Sequence, residues 1–117
     1  MMRAQPAKGA RVMVAMSSVI ELSQRIAEEF DPEKIILFGS HAYGTPRQYS
    51  DVDLLVLLRF EGSAFHKALK IEDCLDSRLY LDIVVRDPED AARRYREGDP
   101  LVKDAFDRGR VLYERSR

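Results

Sequence analysis

A single cysteine, Cys74, in 117 residues leaves no internal disulfide and no Cys-built zinc site, and it makes a reducing compartment the default. Charge of one sign is lacking too. The 19 basic and 20 acidic residues leave a net charge of -1, so no broad cationic field invites direct binding to a nucleic-acid backbone. Long apolar runs are also missing. The longest, Val52 with Leu54 to Leu58, is broken by Asp53 and stops at Arg59, short of the roughly 20 residues that cross a bilayer. No membrane span is expected, and the cytoplasm fits. Up to residue 16 the chain has no acid, only Arg3, Lys8 and Arg11, with all four methionines and an apolar run too short for a secretory leader. Residues 1–16 read as a loose tail, with a later start at Met13 or Met16 as an alternative. Residues 17–117 read as one domain, because two independent cores do not fit in so short a chain. With 45% apolar and 33% charged residues, the composition is that of a folded globule and excludes a disordered chain.

The chain carries no repeat and no low-complexity stretch. Ser18-Val-Ile-Glu21 has capping-box spacing, and Val19, Leu22, Ile26 and Phe30 recur at helical spacing. A first helix is therefore predicted over about 18–29, stopped by Asp31-Pro32. Lys34-Ile-Ile-Leu-Phe38 reads as a buried strand, and the turn-rich residues 39–50 lead to a second. That second strand, Asp51 to Leu58, is almost wholly apolar after its two acids, as expected of a central strand covered on both faces. A helix over 63–75 through Phe65, Leu69 and Cys74 follows, with Cys74 expected as a small core or boundary residue. Next come a third strand over 79–85, a short helix opened by Pro88 and another over 100–107. Gly109 is expected to end the last helix, and residues 110–114 form a final strand. The order α-β-β-α-β-α-α-β predicts an α/β (α+β) fold, a small mixed sheet flanked by helices.

Side chains two apart on a strand share a face, so Asp51 and Asp53 project together. Two acids opening a buried strand either mark its solvated mouth or face a hard divalent ion with oxygen ligands, magnesium being the natural one. Asp82 interrupts the third strand on the face of Tyr80 and Val84. It is either the partner of an arginine such as Arg78 or Arg86, or a third carboxylate beside Asp51 and Asp53. In the latter case mutual repulsion would push at least one pKa upward, and such a trio suits two-metal phosphoryl chemistry. Gly39-Ser40, directly after a strand, is either a plain turn or an anion cradle built from backbone amides and a hydroxyl. Residues 39–44 have P-loop glycine spacing, but Thr45-Pro46 stands where Lys-Ser/Thr is required, which excludes a P-loop ATPase.

Gly39-Ser40, ten intervening residues, Asp51-x-Asp53 and a later strand acid at Asp82 together resemble the signature of the DNA polymerase beta-like nucleotidyltransferases. Residues 37–56 and 81–85 look like the minimal nucleotidyltransferase (MNT) branch, and the resemblance spans about 18–114. It implies that Gly39 and Ser40 grip nucleotide phosphates, that Asp51, Asp53 and Asp82 ligate Mg2+, and that Asp82 helps activate an acceptor hydroxyl. Many members of the branch are antitoxins paired with HEPN-domain ribonuclease toxins, and some move AMP from ATP onto a toxin tyrosine.

Arg47 lies within reach of a triphosphate or is a solvated loop residue. Tyr43 and Tyr49 flank a base or cover the sheet edge. His41 and His66 read as surface residues, and Arg93, Arg94 and Arg96, flanked by acids, as a solvated helix face. Two functions from different classes follow: a magnesium-dependent nucleotidyltransferase acting on a HEPN toxin, and a non-catalytic antitoxin that neutralises its partner by occupation. Three retained aspartates favour the enzyme, because a pure binder has no need of repelling carboxylates. A third, aminoglycoside nucleotidylation, needs an acceptor pocket that this chain is too short to build. The acceptor site is then borrowed from a partner, with Val102, Phe106 and Leu112 as expected contacts.

Overall fold

The computed structural model describes residues 15–44, 51–75 and 79–116. Its elements follow the expected order: α1 (Met16–Phe30), β1 (Lys34–Phe38), β2 (Val52–Leu57), α2 (Ala64–Leu75), β3 (Leu81–Arg86), α3 (Pro88–Arg96), α4 (Pro100–Arg108) and β4 (Arg110–Glu114). Local chemistry accounts for most boundaries. Pro88 and Pro100 open α3 and α4, where a missing amide costs nothing, and the Asp87 and Asp99 carboxylates accept the orphan amides of Glu89 and of Leu101 and Val102. Ser63 accepts the His66 amide at the start of α2. α1 stops at Asp31, which takes a left-handed conformation (φ 47) before Pro32.

The four strands form one sheet in the order β3-β2-β1-β4. β1 is antiparallel to both β2 and β4, whereas β2 and β3 are parallel and joined by the α2 crossover. Strand periodicity sends alternate residues to two cores. Ile35, Leu37, Leu54, Val56, Ile83 and Val85 pack with Val19, Leu22 and Ile26 of α1 and Ala68, Ile71 and Leu75 of α2. On the opposite face Ile36, Phe38, Leu55 and Leu57 meet Ala91 of α3 and Val102 and Ala105 of α4. β2 is thus central and sealed on both sides, as its unbroken apolar run requires. Asp53 and Asp82 belong by parity to the second face, at the end where both parallel strands begin.

Several expectations are corrected. The capping box does not form: α1 begins at Met16, its N-cap is Ala15 without a side-chain bond, and the Ser18 amide already bonds the Ala15 carbonyl. Met16, assigned to the tail by the sequence reading, packs against the core and carries the helix start with it. α2 buries Ala68, Ile71 and Leu75, so Phe65, Leu69 and Cys74 lie on its outer side and Cys74 is exposed. β3 runs two residues later than expected at its start, because its ladder begins where β2 begins, at Val52 opposite Leu81. Val102 is fully buried under the sheet and offers no contact surface. Gly109 does end α4, but in extended conformation (φ -73). Its lack of a side chain serves packing, since a Cβ there would sit 2.2 Å from the Ala105 carbonyl oxygen and 2.6 Å from Ile36 Cγ2.

Among the described residues no helix is long and apolar enough to cross a membrane.

Candidate active site

The candidate residues meet at one end of the sheet because register puts them in a row. Phe38, the last residue of β1, is opposite Asp53, and Asp53 is opposite Asp82. The chain leaves β1 at Gly39 with φ +76, in the left-handed region. Its carbonyl then accepts the amides of Ala42 (3.0 Å) and Tyr43 (3.3 Å), curling residues 39–44 into a tight turn. Gly39 lies directly against Asp53: a Cβ would stand 2.2 Å from Asp53 Oδ2. Only glycine meets both demands, the positive φ and the close approach. The turn with Ser40 is therefore held over the Asp53 carboxylate.

Asp53 is pushed up to about 6, first by burial, then by the negative charges of Asp82 and Asp51. A hydrogen bond with the Asp82 carboxyl acts in the same direction, and the charge of half-buried His41 pulls the other way. The predicted meeting of Asp82 with Asp53, and the rise in one carboxylate's pKa, are thus both present, whereas Asp51 lies outside β2. Arg86, the alternative partner of Asp82, instead donates to the Val85 carbonyl (2.8 Å). Asp51 remains exposed just before β2 and acts on Asp53 through its charge. As the side chains stand, the described residues contain no group of three or more His, Cys, Asp or Glu that could hold a metal ion. The chemistry of the donors still fits a hard divalent cation, since the set is oxygen-only and brings carboxylates together. Arg47, Tyr49 and Arg78 lie outside the described residues.

Two neighbours escaped the sequence reading. His41, read as a surface residue, faces Asp53 closely enough to act on its ionisation; its place beside Ser40 was the available signal. Tyr43, offered by the sequence as a base-flanking or edge-covering residue, ties the turn to α4. Its hydroxyl donates to Asp104 of α4, and the Arg108 guanidinium lies 3.9 Å from its ring centroid. Burial and the Asp104 carboxylate raise the Tyr43 pKa, so the phenol stays protonated as the donor. Nothing in the local sequence links residue 43 to residue 104. Two of the three arginines of α3 are tied up by acids: Arg93 by Asp90 and Glu97, Arg94 by Asp90 and Asp99.

A glycine turn set over paired carboxylates on a mixed α/β sheet is the architecture of an enzyme that handles nucleotide phosphates. The family model for the nucleotidyltransferase domain matches residues 19–112; the chain belongs to that family and is a nucleotidyltransferase. Solved structures share the fold. A candidate nucleotidyltransferase from Sulfolobus solfataricus superposes with a TM-score of 0.61 at 23% identity, covering 86% of this chain and 80% of that one. A toxin-antitoxin complex with AMP-PNP gives 0.53 at 22% identity, covering 83% and 74%. A MntA-HpeT toxin-antitoxin variant with two Asp-to-Glu changes two positions apart gives 0.54 at 21% identity, covering 88% and 76%. No curated protein matches the chain.

Proposed function

We propose that this nucleotidyltransferase moves AMP from ATP onto an acceptor hydroxyl, a tyrosine of a partner HEPN toxin, and thereby acts as the antitoxin of a toxin-antitoxin pair in the cytoplasm. The observation that carries the reading is the register of Asp53 with Asp82 beneath the Gly39 turn. Support for the partner comes from the fold likeness to toxin-antitoxin complexes, one of them with AMP-PNP, and from the MNT-like spacing of Gly39-Ser40 and Asp51-x-Asp53.

In this reading Gly39 and Ser40 hold the triphosphate, with Arg47 reaching its outer phosphates, and Asp51, Asp53 and Asp82 hold Mg2+. When bound, magnesium neutralises charge at phosphorus and on the leaving pyrophosphate. The chain's own part is alignment: the turn fixes the phosphates over Asp53, and Asp82, exposed at the open edge of the sheet, takes the acceptor proton. The acceptor oxygen forms its bond to the α-phosphorus as the bond to pyrophosphate breaks.

The test is the intact mass of a co-expressed HEPN partner after incubation with the protein, ATP and magnesium, for wild type and Asp51→Ala/Asp53→Ala. Whole AMP units gained with wild type and lost in the double variant are expected. Unchanged mass, with the toxin neutralised equally by both forms, would overturn transfer and leave occupation as the account.

A further inference from the structure

The sheet ends on β3, whose outer side no described strand pairs. The amides of Val52 and Leu58 bond the carbonyls of Tyr80 and Arg86. By the two-residue period of a strand, the even-numbered residues of β3 turn their backbone to β2 while Leu81, Ile83 and Val85 turn theirs outward. A cavity of about 410 Å³ runs along this edge, walled by α2 and lined by all of 82–86. Successive strand residues point to opposite faces, so a cavity touching five in a row follows the open edge itself. β3 carries neither proline nor lysine, the usual guards against edge pairing.

The walls carry a pattern. Asp82 lies at one end. On the α2 side Phe65 is 68% exposed and Leu69 42% exposed, with Glu72 beside them. Arg86 lies at the other end, where its Nη1 donates to its neighbour's carbonyl and its Nε is buried without a partner among the described residues. Asp82 and Arg86 share a face four residues apart, roughly 13 Å along the strand.

We propose that this groove docks an extended segment of the acceptor protein as an added strand on β3, with its hydroxyl side chain over Asp82 and an acidic side chain four positions away over Arg86. The hydroxyl's role rests on the transfer reading above; the docking does not. Main-chain bonds to Leu81, Ile83 and Val85 give affinity, and alternate side chains give specificity. Positions one and three beyond the hydroxyl fall on the α2 side, where Phe65 and Leu69 select apolar residues and Glu72 rejects acids. The segment therefore reads hydroxyl, apolar, any, apolar, acidic.

The probe is a fluorescent peptide, Ser-Tyr-Leu-Thr-Leu-Glu-Ser, titrated with the full chain by anisotropy without ATP. Saturable binding with Kd below about 1 mM is expected, retained by Asp51→Ala, which disables transfer, and weakened about tenfold or more by Phe65→Ser and by Arg86→Glu. Arg86→Glu should regain binding when the peptide's glutamate becomes arginine, a recovery that a misfolded variant cannot show. N-methylation of the peptide amides of one parity should abolish binding, and of the other parity leave it. Absence of saturable binding, indifference to Phe65→Ser, or equal effects of the two methylation patterns overturns the groove. Peptide bound as expected while the partner gains no AMP sinks the transfer reading alone; a partner labelled equally well by Phe65→Ser and wild type, with no peptide bound, sinks the groove alone.

Discussion

The Tyr43 hydroxyl donates to the Asp104 carboxylate, joining the turn after β1 to α4 across 61 positions of sequence. Arg108 closes the clamp, stacked on the Tyr43 ring and 3.5 Å from Asp104. Tyr43→Phe keeps the stacking and removes the bond, so a loss of about 1 kcal/mol in stability is expected. The turn after β1, proposed above to hold the triphosphate, loosens with it. The KM for ATP should rise severalfold while kcat changes less, measured by steady-state kinetics beside urea denaturation. An unchanged KM would show that the clamp supports the fold without positioning the turn.

Ionisation of Asp53 sets a pH dependence. Its folded pKa of about 6 lies above the value near ~3.9 of an unfolded chain. Between the two, the folded chain keeps a proton that the unfolded chain has released, so stability falls as pH rises from about 4 to about 6 and stays lower above that. Asp53→Asn removes the buried charge. Allowing for partial solvent screening, it should be more stable than wild type by about 1–2 kcal/mol at pH 8 and equal to it near pH 4, with transfer abolished. Magnesium at pH 8 should raise the melting temperature of wild type more than that of the variant. A variant less stable than wild type at pH 8 would show that the site's electrostatic burden does not rest on Asp53.

Two glycines with positive φ make a matched pair. Gly39→Ala drives a methyl into the Asp53 carboxylate, whereas Gly62, at φ +83, has nothing within 4 Å of its would-be Cβ. Both substitutions carry backbone strain on the order of 1 kcal/mol. Only Gly39→Ala should also displace Asp53 and lose activity by a factor of about ten or more. Activity assays on the two alanine variants, with folding checked by circular dichroism, separate the site effect from the strain.

Gly109→Ala tests packing alone. Its φ is permissive, yet the new methyl meets two carbonyl oxygens and the Ile36 side chain, so β4 has to shift away from α4. A cost of about 3 kcal/mol or more is expected, read as a lowered urea midpoint. A midpoint within experimental error of wild type would mean that the contact of α4 with β1 relaxes freely.

Legibility in the sequence followed the range of the forces involved. All eight elements were readable because proline, aspartate caps and unbroken apolar strands act locally: Asp87-Pro88 and Asp99-Pro100 start helices whatever surrounds them. The candidate site was marked in the sequence by the resemblance that Gly39-Ser40, Asp51-x-Asp53 and a later strand acid carry, whereas the register that sets Asp53 opposite Asp82 depends on the parallel crossover and is seen only in the structure. The inward face of α2 was missed because Ala68 and Ile71 bury more deeply than the larger Phe65 and Leu69, and only the position of the sheet decides which side is inside. The role of Gly109 was misread for a similar reason, since a glycine after a helix looks alike whether it supplies a left-handed turn or room for a neighbouring strand.

The parallel pairing of β2 with β3 bears on how the protein becomes active. The antiparallel strands β1 and β2 close over the residues between Phe38 and Val52, but the parallel strands β2 and β3 need a longer crossover that carries α2, and closing that loop comes at a higher entropic cost. Asp82 reaches Asp53 only when that closure is complete. On the function proposed above, a nascent chain can therefore hold its β1–β2 pair and the Gly39 turn while still lacking half of its acid pair, and competence for transfer waits for the arrival of β3.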